Sequence, residues 1–158
     1  MVFLLRVLGS PPRPPYVALS LVRVLLGMFF AASGWNKTAT DPGRAAMVET
    51  IESIGAPFPG ATAAFVASCE LVFGVLLAIG LTTRLAAAVL AVISSVALAS
   101  VAVHQLGASD PVTWYSDLLY LPEVLYVLLA VVLIALGGGP FGLDRLVVLR
   151  LRRAVLGS

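Results

Sequence analysis

Four stretches of this chain, residues 16–36, 61–81, 85–103 and 117–136, are long, apolar and almost free of charge. A helix rises about 1.5 Å per residue, so about 20 apolar residues cross a hydrocarbon core of about 30 Å. Four such spans and their short connections use up a chain of 158 residues. The overall composition agrees. It is 60% hydrophobic and 11% charged, against about 25% charged for a soluble domain, and the mean hydropathy is +1.05. So few charges cannot make a water-soluble surface. The fold class is therefore all-α: an integral membrane four-helix bundle forming one domain over residues 1–158, with a basic tail at 140–158.

Proline and glycine punctuate the spans. Pro11, Pro12, Pro14 and Pro15 cannot lie inside a helix, so the first span starts just after them. Arg6 and Arg13 ahead of an apolar run, with Ala31-Ala32-Ser33 behind it, have the outline of a signal peptide. The run is long for one, and a retained first span is expected. Between spans one and two, Pro42–Ile54 reads as a short helix with Asp41 as N-cap. Its apolar residues Ala45, Val48 and Ile51 recur at helical spacing, so it is expected to lie on the membrane surface. Trp114 and Tyr115, in the loop before span four, suit a membrane–water boundary.

Basic residues set the orientation. Arg6, Arg13, Arg84, Arg145, Arg150, Arg152 and Arg153 fall on one side, and Lys37 and Arg44 on the other. By the positive-inside rule both termini face the cytoplasm. The net charge of +2 is explained by this topology and the tail. No nucleic-acid motif accompanies it, and no nucleic-acid partner is expected. The partners expected are the lipid bilayer and a partner protein or a second copy of the chain.

Function is sought where charge enters the spans. A charged side chain at the centre of a membrane helix costs roughly 2.5–3.5 kcal/mol, so such residues usually mark a site. Arg23, Glu70 and Glu123 lie inside spans one, two and four. On span one, Arg23, Gly27, Phe30, Gly34 and Lys37 share a helical stripe, and its glycines permit close helix approach. The expected arrangement is a polar track, with His104, Asn36 and Lys37 at the outer rim, Glu123 deeper, and Arg23 gripping Glu70 near the midplane. Arg23, Glu70, Glu123, Lys37, His104 and Asn36 are thus the candidate ligand-binding residues. Each has a plainer reading. Arg23 with Glu70 can be an ion pair that only specifies helix contacts. Glu123 can be protonated and bonded to Tyr120 or Tyr126, and His104 can be interfacial. A lone histidine without partners at ligand spacing does not indicate a metal, and none is expected. Cys69, the single cysteine, forms no disulfide or CxxC pair within the chain. No nucleophile triad, P-loop or dinucleotide fingerprint is present.

Several segments resemble a known family. Leu21-Val-Arg-Val-Leu-Leu-Gly-Met-Phe-Phe-Ala-Ala-Ser-Gly-Trp-Asn-Lys37 is similar to the first-span signature of the DoxX family. Ile51-Glu-Ser-Ile-Gly-Ala-Pro-Phe-Pro59 resembles its loop before span two, and the stretch from Glu70 through Thr82-Thr83-Arg84 to Ala87 resembles its second-span motif. Gly139-Pro-Phe-Gly-Leu-Asp-Arg145 resembles its ending. Arg23, Lys37, Glu70, Arg84, Asp144 and Arg145 match the family's recurrent polar residues. The resemblance implies a four-span protein of the bacterial inner membrane. It also implies a loose link to redox work, because the family is named after a small subunit associated with thiosulfate:quinone oxidoreduction and other members are linked to oxidative or thiol stress.

The resulting expectation is a membrane subunit of a redox-linked system that binds a quinone or similar small molecule in an intramembrane pocket. No intrinsic cofactor is expected, so electrons would come from a partner or substrate. Two alternatives stand beside it: a non-enzymatic anchor or assembly subunit, and a small proton-coupled transporter.

Overall fold

The structure is a computed structural model that describes residues 16–107, 110–139 and 141–144. The expected lead before Tyr16 and the basic tail from Arg145 lie outside the described residues. Every regular element among the described residues is helical. In chain order these are α1 (Tyr16–Ala39), α2 (Asp41–Ser53), α3 (Pro59–Ile79), α4 (Thr83–Ala97), α5 (Pro111–Tyr120) and α6 (Pro122–Leu136). A π-helical turn (Leu98–Ala102) and a 3₁₀ turn (Val103–Gln105) extend α4.

Three segments, Val17–Ala39, Pro59–Ile79 and Thr83–Ala102, are each long and apolar enough to cross a membrane. The fourth unit departs from the sequence expectation. Instead of one helix over 117–136, α5 and α6 meet at a 64° bend. Leu121 between them is extended, with φ −67° and ψ 125°. The cause is Pro122, whose ring pushes the preceding residue out of the helical region and which has no N–H to give. The bend also places Asp117 and Tyr120 on a different helix from Glu123.

The turns follow from local chemistry. The N-cap of α2 is Thr40 rather than Asp41: the Thr40 hydroxyl accepts from the Gly43 N–H at 3.1 Å, while Asp41 pairs with Arg44 within the first turn. Gly55 closes α2 at φ 69°. The Ala56 amide reaches Ile51 O and the Gly55 amide reaches Glu52 O, a Schellman ending. Gly80 ends α3 in the same way at φ 72°, with Leu81 N–H on Leu76 O and Gly80 N–H on Leu77 O.

The bundle buries several polar and charged side chains and exposes many apolar ones. Leu21, Leu25, Phe65, Val72, Val92 and Val131 are exposed, whereas Arg23, Glu70, Thr83 and Ser94 are buried. An apolar exterior suits lipid contact. The apolar core joins Leu26 and Phe30 of α1, Leu77 of α3, Leu90 of α4, and Ala130 and Leu133 of α6.

The principal contacts are α1 with α3 and α4 with α6. Glycines set the first. A Cβ on Gly27 would strike the backbone of Ala78, one on Gly34 that of Leu71, and one on Gly74 that of Ala31. The two antiparallel helices therefore mesh backbone to backbone, as small residues allow in membranes. This meshing fixes their register, and the register decides which charges meet.

Candidate functional site

Meshing at Gly34 brings Glu70 level with the last turns of α1. There the Lys37 ammonium donates to both carboxylate oxygens of Glu70, at 2.8 Å to Oε1 and 2.7 Å to Oε2. The Ser33 hydroxyl donates to Oε2 at 3.1 Å. Glu70 is buried, with 6% of its side chain exposed, and Lys37 is 29% exposed. A buried carboxylate is held by a cation and a hydroxyl on one neighbouring helix, as a charge away from water requires.

The expected Arg23–Glu70 pair is not formed. Arg23 precedes Gly27 by one helical turn, and Gly27 lies against Ala78, so Arg23 is level with the α3–α4 turn. Eleven residues of α1 separate it from Gly34, about 16 Å of helix. Its guanidinium instead packs against Gly80 and Gly142, and its Cδ against Gly138, where an added Cβ would strike the side chain. Nη2 donates to Phe141 O at 3.3 Å. Nε and Nη1 are buried without a hydrogen-bond partner among the described residues. Asp144 supplies the countercharge. Its carboxylate also accepts from the backbone amides of Thr82 (2.7 Å) and Thr83 (2.9 Å), capping α4, and its own N–H donates to Gly80 O at 2.8 Å. Arg23 and Asp144 thus fasten the segment after α6 onto the α3–α4 turn. Arg23 takes no part in the cavity described next.

The Lys37–Glu70 pair opens onto a cavity of about 500 Å³. Asn36 and Lys37 line it from α1, Met47, Thr50 and Ile51 from α2, Val66 and Glu70 from α3, and Ile93 and Val96 from α4. Ser100 and Val101 of the π-helical turn and Glu123 at the start of α6 also line it. π-Helical turns often occur at functional sites, and this one puts Ser100 and Val101 on the cavity wall. Most of the wall is hydrocarbon, with a few polar groups converging, which is the usual make-up of a small-molecule site of this size.

Glu123 stands on that wall through the bend at Leu121. Its Oε2 is buried with no hydrogen-bond partner among the described residues. The plainer reading of Glu123, a bond to Tyr120 or Tyr126, is not formed. Tyr120 is exposed on α5 beyond the bend, and Tyr126 packs on Phe29 and Phe30 with ring centres 4.6 and 5.5 Å away. His104 does not reach this cavity. It is exposed and lines a second cavity with Ser53, Ile54, Ala99, Ser100 and Val101; Ile54, Ser100 and Val101 belong to both walls.

Of the six residues singled out from the sequence, Lys37, Glu70, Glu123 and Asn36 therefore share one cavity, His104 lines its neighbour, and Arg23 lies at the other end of α1. Ser33 was missed. Its signal is spacing: it lies one turn before Lys37 on the same stripe and faces whatever Lys37 faces. Among the described residues no group of three His, Cys, Asp or Glu side chains converges to hold a metal ion.

The family model named DoxX matches residues 18–105, which include Arg23, Ser33, Lys37 and Glu70. No curated protein and no solved structure matches the chain. With more than half of its length matched and its apolar helices exposed to lipid, the chain is a multi-pass membrane protein that belongs to the DoxX family.

Proposed function

We propose that this protein is a membrane subunit of a redox-linked system and that its cavity takes a quinone or a similar flat small molecule. The observation that carries this reading is the cavity itself: about 500 Å³, walled mainly by aliphatic side chains, with the Lys37–Glu70 pair on one wall and the half-buried Glu123 carboxyl on another. An ammonium can stabilise negative charge on a ligand oxygen, and a carboxyl can exchange protons with it. Electrons would come from a partner subunit or from substrate. The arginines before α1, at Arg84 and in the tail support placement in a bacterial plasma membrane with both termini cytoplasmic, and the cavity then faces the outer side.

A second reading is favoured by one observation. Lys37 and Glu70 already satisfy each other directly, as they would in an anchor or assembly subunit whose charges only set helix contacts. Titration of the detergent-solubilised protein with a short-chain alkyl benzoquinone separates the two. The redox reading expects saturable binding, weakened about tenfold, or about 1.4 kcal/mol, in Lys37→Gln. Absence of saturable binding, with Lys37→Gln lowering only the yield of folded protein, supports the anchor.

A further inference from the structure

Resting on the reading of the cavity as a ligand site, we propose that its ligand is recognised through a hydrogen-bond donor that Glu123 accepts. A hydroxylated aromatic, such as a hydroquinone, is then bound in preference to the corresponding quinone.

The other carboxylate and amide oxygens on the cavity wall are already engaged. Both oxygens of Glu70 are taken by Lys37, and one also by Ser33. Asn36 Oδ1 accepts from the Thr40 hydroxyl at 3.1 Å, and the Thr50 hydroxyl donates to Ala46 O at 2.8 Å. Three buried side-chain polar atoms among the described residues have no partner: two belong to Arg23, remote from the cavity, and the third is Glu123 Oε2. An ionised carboxylate is an acceptor only, and as such Glu123 lacks a donor opposite it. Val92, Ile93, Val96 and Ala97 of the same wall offer none, and the Ser100 hydroxyl, also on the wall, does not bond Glu123 Oε2.

A quinone edge carries only carbonyl acceptors, and an acceptor set against an acceptor leaves both unsatisfied. Reduction turns the same edge into hydroxyl donors without changing the ring's outline. Discrimination by a buried hydrogen-bonding group that would otherwise be unpaired is the strong kind.

The test compares two ligand pairs on the purified full chain under anaerobic conditions. One pair is a short-chain alkyl benzoquinone and its hydroquinone. The other is a redox-inert alkylphenol and its methyl ether, which differ in the O–H donor. The wild-type protein is expected to bind the hydroquinone and the phenol at least about tenfold more tightly than their partners. For the two-electron couple that preference raises the bound potential by about 30 mV. Glu123→Leu, which presents no acceptor, is expected to abolish both preferences, Glu123→Gln, which offers an N–H donor beside its carbonyl acceptor, to weaken them, and Glu123→Asp to retain their sign. Each preference is a ratio within one preparation, so a lower folded fraction does not move it. Equal affinities within both pairs, or a preference unchanged in Glu123→Leu, overturn the proposal. If the phenol outbinds its ether while neither quinone form binds, the donor rule stands and the redox reading falls. If the quinone binds saturably but phenol and ether bind equally, the redox reading stands and the donor rule falls.

Discussion

The Lys37 ammonium of α1 sits astride the Glu70 carboxylate of α3, within 2.8 Å of both oxygens. Breaking a buried pair by removing one member strands the other charge, at a cost of about 3–5 kcal/mol when both are fully buried. Lys37 keeps partial access to solvent, so Lys37→Met is expected to destabilise by about 2 kcal/mol. Adding Glu70→Leu should recover most of that loss. Thermal unfolding in detergent of the two single variants and the double variant measures the coupling.

Gly74 is expected to be intolerant of the smallest change. A Cβ there meets the backbone of Phe30 and Ala31, which cannot rotate away. Gly74→Ala should cost about 1–3 kcal/mol and move α1 away from α3. Gly60, also in α3, has nothing within 4 Å of its would-be Cβ, and Gly60→Ala is expected to be neutral or slightly stabilising. A distance measured between spin labels on α1 and α3 should lengthen in the first variant only.

Asp144 caps α4 from a segment more than sixty residues away in sequence. Asp144→Ala removes acceptors from two amides, with an expected loss of about 1–2 kcal/mol, and also frees the strap over the α3–α4 turn. Limited proteolysis should cut after α6 sooner in this variant than in the wild type, while Asp144→Asn retains part of the protection.

Acid is expected to loosen α5. Asp110 accepts from the Thr113 hydroxyl at 2.7 Å and from the Thr113 and Val112 amides at 3.2 Å. The Thr113 side chain first, and then its backbone amide, hold the carboxyl below its ordinary value. A carboxyl with a lowered folded value stabilises fully above its unfolded value of about 3.9. That contribution disappears as pH falls through the folded value. Helicity at 111–120, followed by NMR chemical shifts, should decline in that acidic window, and Asp110→Asn should remove the dependence.

The all-helical membrane class was legible in composition and in the length of the apolar runs, because a bilayer imposes both. The start of α2 was nearly legible from Pro42, although the cap is Thr40. The choice of partner for Glu70 was not legible from depth alone. Depth placed Arg23 within reach, but partnership depends on how α1 and α3 are registered, and that register is set by backbone contact at Gly27, Gly34 and Gly74. Matching those glycines across two antiparallel helices would have put Lys37, not Arg23, opposite Glu70. Pro122 signalled a bend, but its angle depends on what α5 and α6 each lie against. The position of His104 depends likewise on the π-helical turn, which no sequence period announces.

The interruption at Leu121 has a further consequence. The final crossing is made by two rods joined at an elbow, and backbone groups released at such an elbow must be met by protein or by water. The elbow is two residues from Glu123, which faces the cavity. The break that ends α5 is therefore also what sets the Glu123 carboxyl, in the first turn of α6, on the cavity wall.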